Sequence, residues 1–152
     1  MATETKLRQL ADKGCPVYYF YSSERYLVRQ AVTAITRILT ADSDEDATVL
    51  DGAAPEIEQL IMAAGTISFF GTRRVVVLPE IDPAAYSDKD LEELNSTLSS
   101  LENAVVVLGS VFELERSKLK TGKRAQKLIA QCKALGYTEE LAKPKPFELK
   151  MM

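Results

Sequence analysis

A chain of 152 residues, 46% of them hydrophobic, fits one domain and can bury a core. Its formal net charge of −3 is too mild to make nucleic acid or an anionic membrane the expected main ligand, and with no histidine it lacks the commonest general base and metal ligand. The two cysteines, Cys15 and Cys132, lie far apart in no zinc spacing and read as reduced core thiols of a cytoplasmic protein.

Met1 to Leu10 is polar and charged, neither signal peptide nor anchor, and no apolar run is long enough to span a bilayer. Lys6 to Ala11 predicts a short leading helix. After the turn signal Gly14-Cys15-Pro16, the run Val17-Tyr18-Tyr19-Phe20-Tyr21 predicts a strand. Ser22-Ser23-Glu24 then offers a hydroxyl cap followed by an acid, opening a helix whose face carries Leu27, Val28, Ala31, Val32, Ile35 and Leu39. A short acidic stretch, Asp42 to Asp46, precedes a second strand over Ala47-Thr48-Val49-Leu50. Pro55 suits the first position of a helix with the stripe Ile57, Leu60, Ile61 and Ala64, ending at Gly65.

Val75-Val76-Val77-Leu78 predicts a third strand, apolar throughout and so covered on both faces. Ser87 with Asp90 forms a capping box for a helix bearing Leu91, Leu94, Leu98 and Leu101. Ala104-Val105-Val106-Val107-Leu108 is a fourth buried strand. A basic helix with Leu128, Ile129 and Cys132 on one side follows, and Tyr137 to Leu141 adds a fifth strand at an edge. Pro144 and Pro146 interrupt regular structure beyond it. Apolar strands alternating with helices require parallel pairing, which predicts a three-layer α/β/α domain with a mainly parallel five-stranded sheet.

Ligands of such sheets bind at the carboxyl ends of the strands. The first strand-to-helix turn reads Tyr21-Ser22-Ser23-Glu24-Arg25-Tyr26, with none of the glycines and no lysine of a phosphate loop, and Glu24 would repel phosphate. No dinucleotide fingerprint is present. Gly122-Lys123 follows no strand directly and reads as an accident of a helix surface, and Glu80, near the place of a metal-binding acid, reads as a solvated loop carboxylate. Without histidine a nucleophilic triad has no ordinary base, and no carboxylate pair is marked out for hydrolysis. No cofactor and no metal is expected.

Two segments invite a partner. Ile67, Phe69 and Phe70 cluster in Thr66-Ile67-Ser68-Phe69-Phe70-Gly71, where a surface connection would be polar; they are either rings folded back to finish the core or an exposed hydrophobic plug. From Arg116 to Lys133 run Arg116, Lys118, Lys120, Lys123, Arg124, Lys127 and Lys133 with no acid among them. That run is either a solvated helix face or a surface for phosphates or an acidic protein, and without interleaved aromatics it is a poor single-strand platform.

The ordered set of segments resembles the N-terminal domain of the delta subunit of the bacterial DNA polymerase III clamp loader. The resemblance is carried by Val17-Tyr18-Tyr19-Phe20-Tyr21 leading to Glu24-Arg25-Tyr26-Leu27, by Leu50-Asp51-Gly52, by Ser68-Phe69-Phe70-Gly71-Thr72-Arg73-Arg74 before the valine strand, and by Ala104 to Leu108 with the lysine-rich helix. It implies a P-loop NTPase/AAA+-like fold without a functional phosphate loop, and no catalysis of its own within a DNA-directed DNA polymerase (nucleotidyltransferase) holoenzyme. It implies binding of the sliding clamp (the beta subunit) through Ile67, Ser68, Phe69 and Phe70, opening the ring for loading on primed DNA. The first position of the pair is often leucine in the family, and Phe69 is bulkier.

Other clamp-loader subunits are implied as partners, with DNA within the complex and no membrane. Lys118, Lys120, Lys123, Arg124 and Lys127 are candidate contacts to DNA or to another subunit. Residues 1–143 are expected to form the clamp-binding domain and 144–152 to begin a linker toward a lid domain, as in a fragment that stops before the collar. The readings set against this one are a degenerate P-loop nucleotide-binding enzyme and a nucleic-acid-binding module using the basic helix.

Overall fold

The computed structural model describes residues 4–41, 46–65 and 73–142. In chain order the helices are α1 (Glu4–Asp12), α2 (Arg25–Thr40), α3 (Ile57–Gly65), α4 (Asp88–Ser99) and α5 (Gly122–Leu135). The strands are β1 (Val17–Ser22), β2 (Thr48–Val49), β3 (Arg74–Leu78), β4 (Ala104–Val111), β5 (Leu114–Glu115), β6 (Lys118–Leu119) and β7 (Tyr137–Glu140). Five of the strands form one sheet in the order β2-β3-β4-β1-β7, every pairing parallel, while β5 and β6 form a separate antiparallel hairpin.

Strand side chains alternate between two cores. Val17, Tyr19, Val76, Leu78, Val106 and Leu108 face α3, α4 and α5, whereas Tyr18, Phe20, Val75, Val77, Val105 and Val107 face α1 and α2. Because both faces are covered, β1, β3 and β4 are apolar without a polar alternation. The predicted three-layer α/β/α arrangement is therefore present, and the leading helix and the edge strand β7 stand where the sequence places them.

Four local expectations need correction. The residue preceding α2 as its cap is Glu24, with no side-chain cap bond of its own. Ser22 is instead the last residue of β1, its Oγ accepting from the Glu24 N–H at 3.0 Å and donating to the Leu141 carbonyl at 2.6 Å. Pro55 lies before α3 rather than at its first position, and its carbonyl accepts the Tyr86 hydroxyl at 2.8 Å. β2 is only Thr48–Val49, although the Leu50 N–H still reaches the Val77 carbonyl at 2.9 Å. The basic run is not one helix: Lys118 lies on β6, Lys120 in the connection after it, and only Lys123, Arg124, Lys127 and Lys133 on α5. The serine cap of α4 is made as expected, Ser87 Oγ accepting from the Asp90 N–H at 3.1 Å.

Candidate functional site

Connections leave β1 and β4, which are neighbours, toward opposite faces of the sheet: α2 packs on one and α5 on the other. This reversal opens a crevice at the strands' carboxyl ends, the place where α/β sheets hold ligands. A cleft of about 760 Å³ lies there, with Glu24, Arg25, Glu80, Asp82, Glu113 and Lys120 among its lining residues.

Hydroxyls tie the floor of the cleft. Ser110 Oγ donates to the Ile81 carbonyl at 2.8 Å, so Tyr19 supplies the proton in the 2.6 Å Tyr19–Ser110 bond. Ser22 joins the turn after β1 to the exit of β7, and Leu141 N–H returns to the Tyr21 carbonyl at 2.8 Å. Burial raises the Tyr19 phenol well above its ordinary range, which keeps it a neutral donor.

Across the mouth, Arg25 Nε meets Glu80 Oε1 at 2.7 Å. Glu80 is thus an ion-paired residue rather than a purely solvated carboxylate. Adjacent Glu-Arg residues after a strand carry no signal of a partner 55 positions away, so this pair was invisible in the sequence. Among the described residues no group of three or more His, Cys, Asp or Glu is placed to hold a metal ion, and no helix is long and apolar enough to cross a membrane.

Ile67, Ser68, Phe69 and Phe70 lie outside the described residues; their flanks do not. On the upstream side, α3 leaves Ile61 half exposed and Met62 73% exposed in its last turns. Helical periodicity put Ile61 in the core stripe, but α3 meets the sheet through Ile57 and Leu60, leaving Ile61 at the rim. A groove of about 560 Å³ between α3 and α4 is lined by Ile61, Ala64, Gly65, Thr97 and Leu101. On the downstream side, Arg73 donates to the Gly14 and Ala104 carbonyls, each at 3.2 Å. Arg74 donates through its guanidinium to Thr48 Oγ1 at 3.2 Å and through its N–H to the Asn103 carbonyl at 3.0 Å. The two arginines fasten the start of β3 to three neighbouring elements of the chain.

The predicted cationic residues divide. Arg124 is engaged with Asp88 at 3.0 Å, while Lys118, Lys120, Lys123 and Lys127 are exposed.

A family model described as DNA polymerase III, delta subunit, matches residues 18–135. The chain is 28% identical over 137 residues to DNA polymerase III subunit delta of Bacillus subtilis (strain 168), covering 82% of this chain and 39% of that protein. It therefore spans about two-fifths of the length of that curated relative. A DNA polymerase III gamma subunit-related protein of Thermotoga maritima superposes with a TM-score of 0.66 at 15% identity, over 96% of this chain and 48% of that one, and so shares its fold, which is AAA+-like.

Proposed function

The chain belongs to the DNA polymerase III delta subunit family, and from that premise we propose that it is a clamp-loader domain that grips the sliding clamp through a hydrophobic wedge and helps open the ring during DNA replication. The wedge is Phe69 and Phe70, with Ser68 and Ile67 beside them. The observation that carries the reading is the exposure of Ile61 and Met62 in the turns of α3 leading directly into that segment. Exposed large side chains a few residues ahead of an aromatic pair in the sequence are the kind of apolar cluster that marks a protein interface.

Burying two phenylalanine side chains contributes roughly 3–6 kcal/mol before the cost of association. This anchors a complex, and surrounding contacts must supply the rest. The domain acts mechanically, and nucleotide hydrolysis belongs to other subunits of the loader. Residues 1–143 serve as the clamp-binding unit.

Calorimetric titration of the chain with its cognate sliding clamp tests this, beside a Phe69→Ala, Phe70→Ala double variant checked for folding by circular dichroism. Binding by the parent chain and none by the folded variant is the expected result. No binding by a folded parent chain overturns the clamp assignment, and an unfolded variant assigns the rings to the core.

A further inference from the structure

Helices α4 and α5 lie side by side on one face of the sheet and send Leu91, Leu94, Leu98, Leu128 and Cys132 into the same core. Between them a groove of about 650 Å³ opens to solvent, with Asn95, Ser96 and Ser99 on the α4 wall and Gln131 and Ala134 on the α5 wall. Asn95 is only 6% exposed, yet neither its Oδ1 nor its Nδ2 has a hydrogen-bond partner among the described residues. A carboxamide buried without a partner costs stability, and the leucines around it on α4 mark the position as one where an apolar side chain would fold better. Gln131, half-buried on the facing helix, also bonds no described residue through its side chain.

We infer that this groove is a recognition site for the extended main chain of a partner polypeptide, with Asn95 and Gln131 pairing its peptide groups. A carboxamide presents an acceptor and a donor side by side, the complement of a peptide C=O and N–H. Both polar atoms of Asn95 are closed to solvent in the free chain, so its side chain turns toward the groove as the peptide enters and exchanges an unpaired state for a paired one. Ser96, Ser99 and Ala134 are small enough to let a backbone come close. From residue 92 to residue 99 the α4 wall runs about 10 Å, the span of about three extended residues.

Other occupants fit less well. No aromatic side chain is among the lining residues, so a nucleobase would find no ring to stack on. Leu135 is the one large apolar residue there, too little to seat the apolar face of a helix. Glu92 and Lys127 both line the groove and neither is ion-paired with a described residue. Their opposite charges cancel, which leaves no field to draw in a strongly charged polymer. The inference does not rest on the clamp reading.

Heteronuclear NMR titration of the whole chain with acetyl-pentaalanine amide, a blocked peptide too short to form a helix, is the test. Expected are saturable shifts confined to the amides of residues 92–99 and 127–135, with a Kd of about 1 mM. Asn95→Leu should raise the urea midpoint by about 0.3 M or more and weaken the peptide about tenfold or more. Gln131→Ala should keep the parent's stability and also weaken binding, and the same peptide N-methylated at each amide should not bind. The inference is overturned by an absence of saturable shifts in the parent chain, by unchanged binding in both variants, or by equal binding of the N-methylated peptide. Stronger shifts in the groove with adenosine would make it a base site and likewise overturn it. A lower midpoint or loss of fold in Asn95→Leu does the same, because the carboxamide is then satisfied inside the fold.

Discussion

A Cβ built on Gly109 would fall on the carbonyl oxygen of Pro79 and 2.8 Å from a Val28 methyl. The chain leaving β3 crosses β4 there so closely that the Ile81 N–H bonds the Gly109 carbonyl at 2.8 Å. Gly109→Ala should therefore cost about 2 kcal/mol or more, because backbone rather than a flexible side chain must yield; a urea midpoint within error of the parent would contradict this. Cys132 gives a second test at the same scale. Burial pushes its thiol from an ordinary value near 9 up to about 12, and burial likewise carries Tyr86 from 10 up to about 12. The native state thus holds protons that the unfolded chain releases. Their stabilisation is fully present below about pH 9 and is lost as pH rises toward 12, at up to about 1.4 kcal/mol per pH unit for each group. Urea unfolding between pH 8 and about 11 should show this fall. Cys132→Ala should start less stable, from lost packing, and yet decline less steeply; an unchanged slope would remove the thiol from the account.

The hairpin is the element that most departs from what was legible. Its strands are two residues each, too short for a period-two pattern to register, and Arg116 and Ser117 at the turn bear none of the Asn-Gly chemistry that announces one. Both adopt left-handed backbone, φ 52° and 70°, which costs non-glycine residues stability. Replacing Arg116-Ser117 by Asn-Gly should stabilise the fold by about 0.5–1 kcal/mol, read by thermal or urea unfolding. No change in stability would mean that the turn carries no strain. By contrast, β1, β3 and β4 were readable because a strand buried on both faces needs an unbroken apolar run, and α4 because Ser87 and Asp90 sit at capping distance in the sequence itself. The start of α3 was misplaced since Pro55 fits several roles, and only the Tyr86 hydroxyl, far along the chain, decides among them. Of the candidate site, composition could single out the Phe69–Phe70 segment and the cations. It could not show that the cations are split between a hairpin and a helix, or that Asp88 removes Arg124 from the free set.

On the scale of the whole molecule, the sheet order, the crevice and the opposed helices reproduce the frame on which AAA+-like proteins bind nucleotide, but the crevice is closed to phosphate at each point of contact. Where a glycine-rich turn would wrap its N–H groups around an anion, the Glu24 N–H is already bonded to Ser22 Oγ. The cap position of α2, which would face the phosphates, is a carboxylate. Arg25, the nearest cation, is spent on Glu80. Glu24, Glu80, Asp82 and Glu113 line the cleft against Arg25 and Lys120, so the field inside opposes a polyanion. Calorimetric titration with MgATP should give no saturable heat at concentrations up to about 1 mM. A Glu24→Gln, Glu80→Gln variant separates the two obstacles. It removes charge and frees Arg25 while leaving the backbone turn as it is, so it should bind no better than weakly and without saturation. Saturable binding by that variant would place the block in electrostatics alone, and saturable binding by the parent chain would return it to the nucleotide-binding class. Failure of both to bind keeps the chain out of the nucleotide-binding class, because the backbone turn as well as the charge then bars the phosphates.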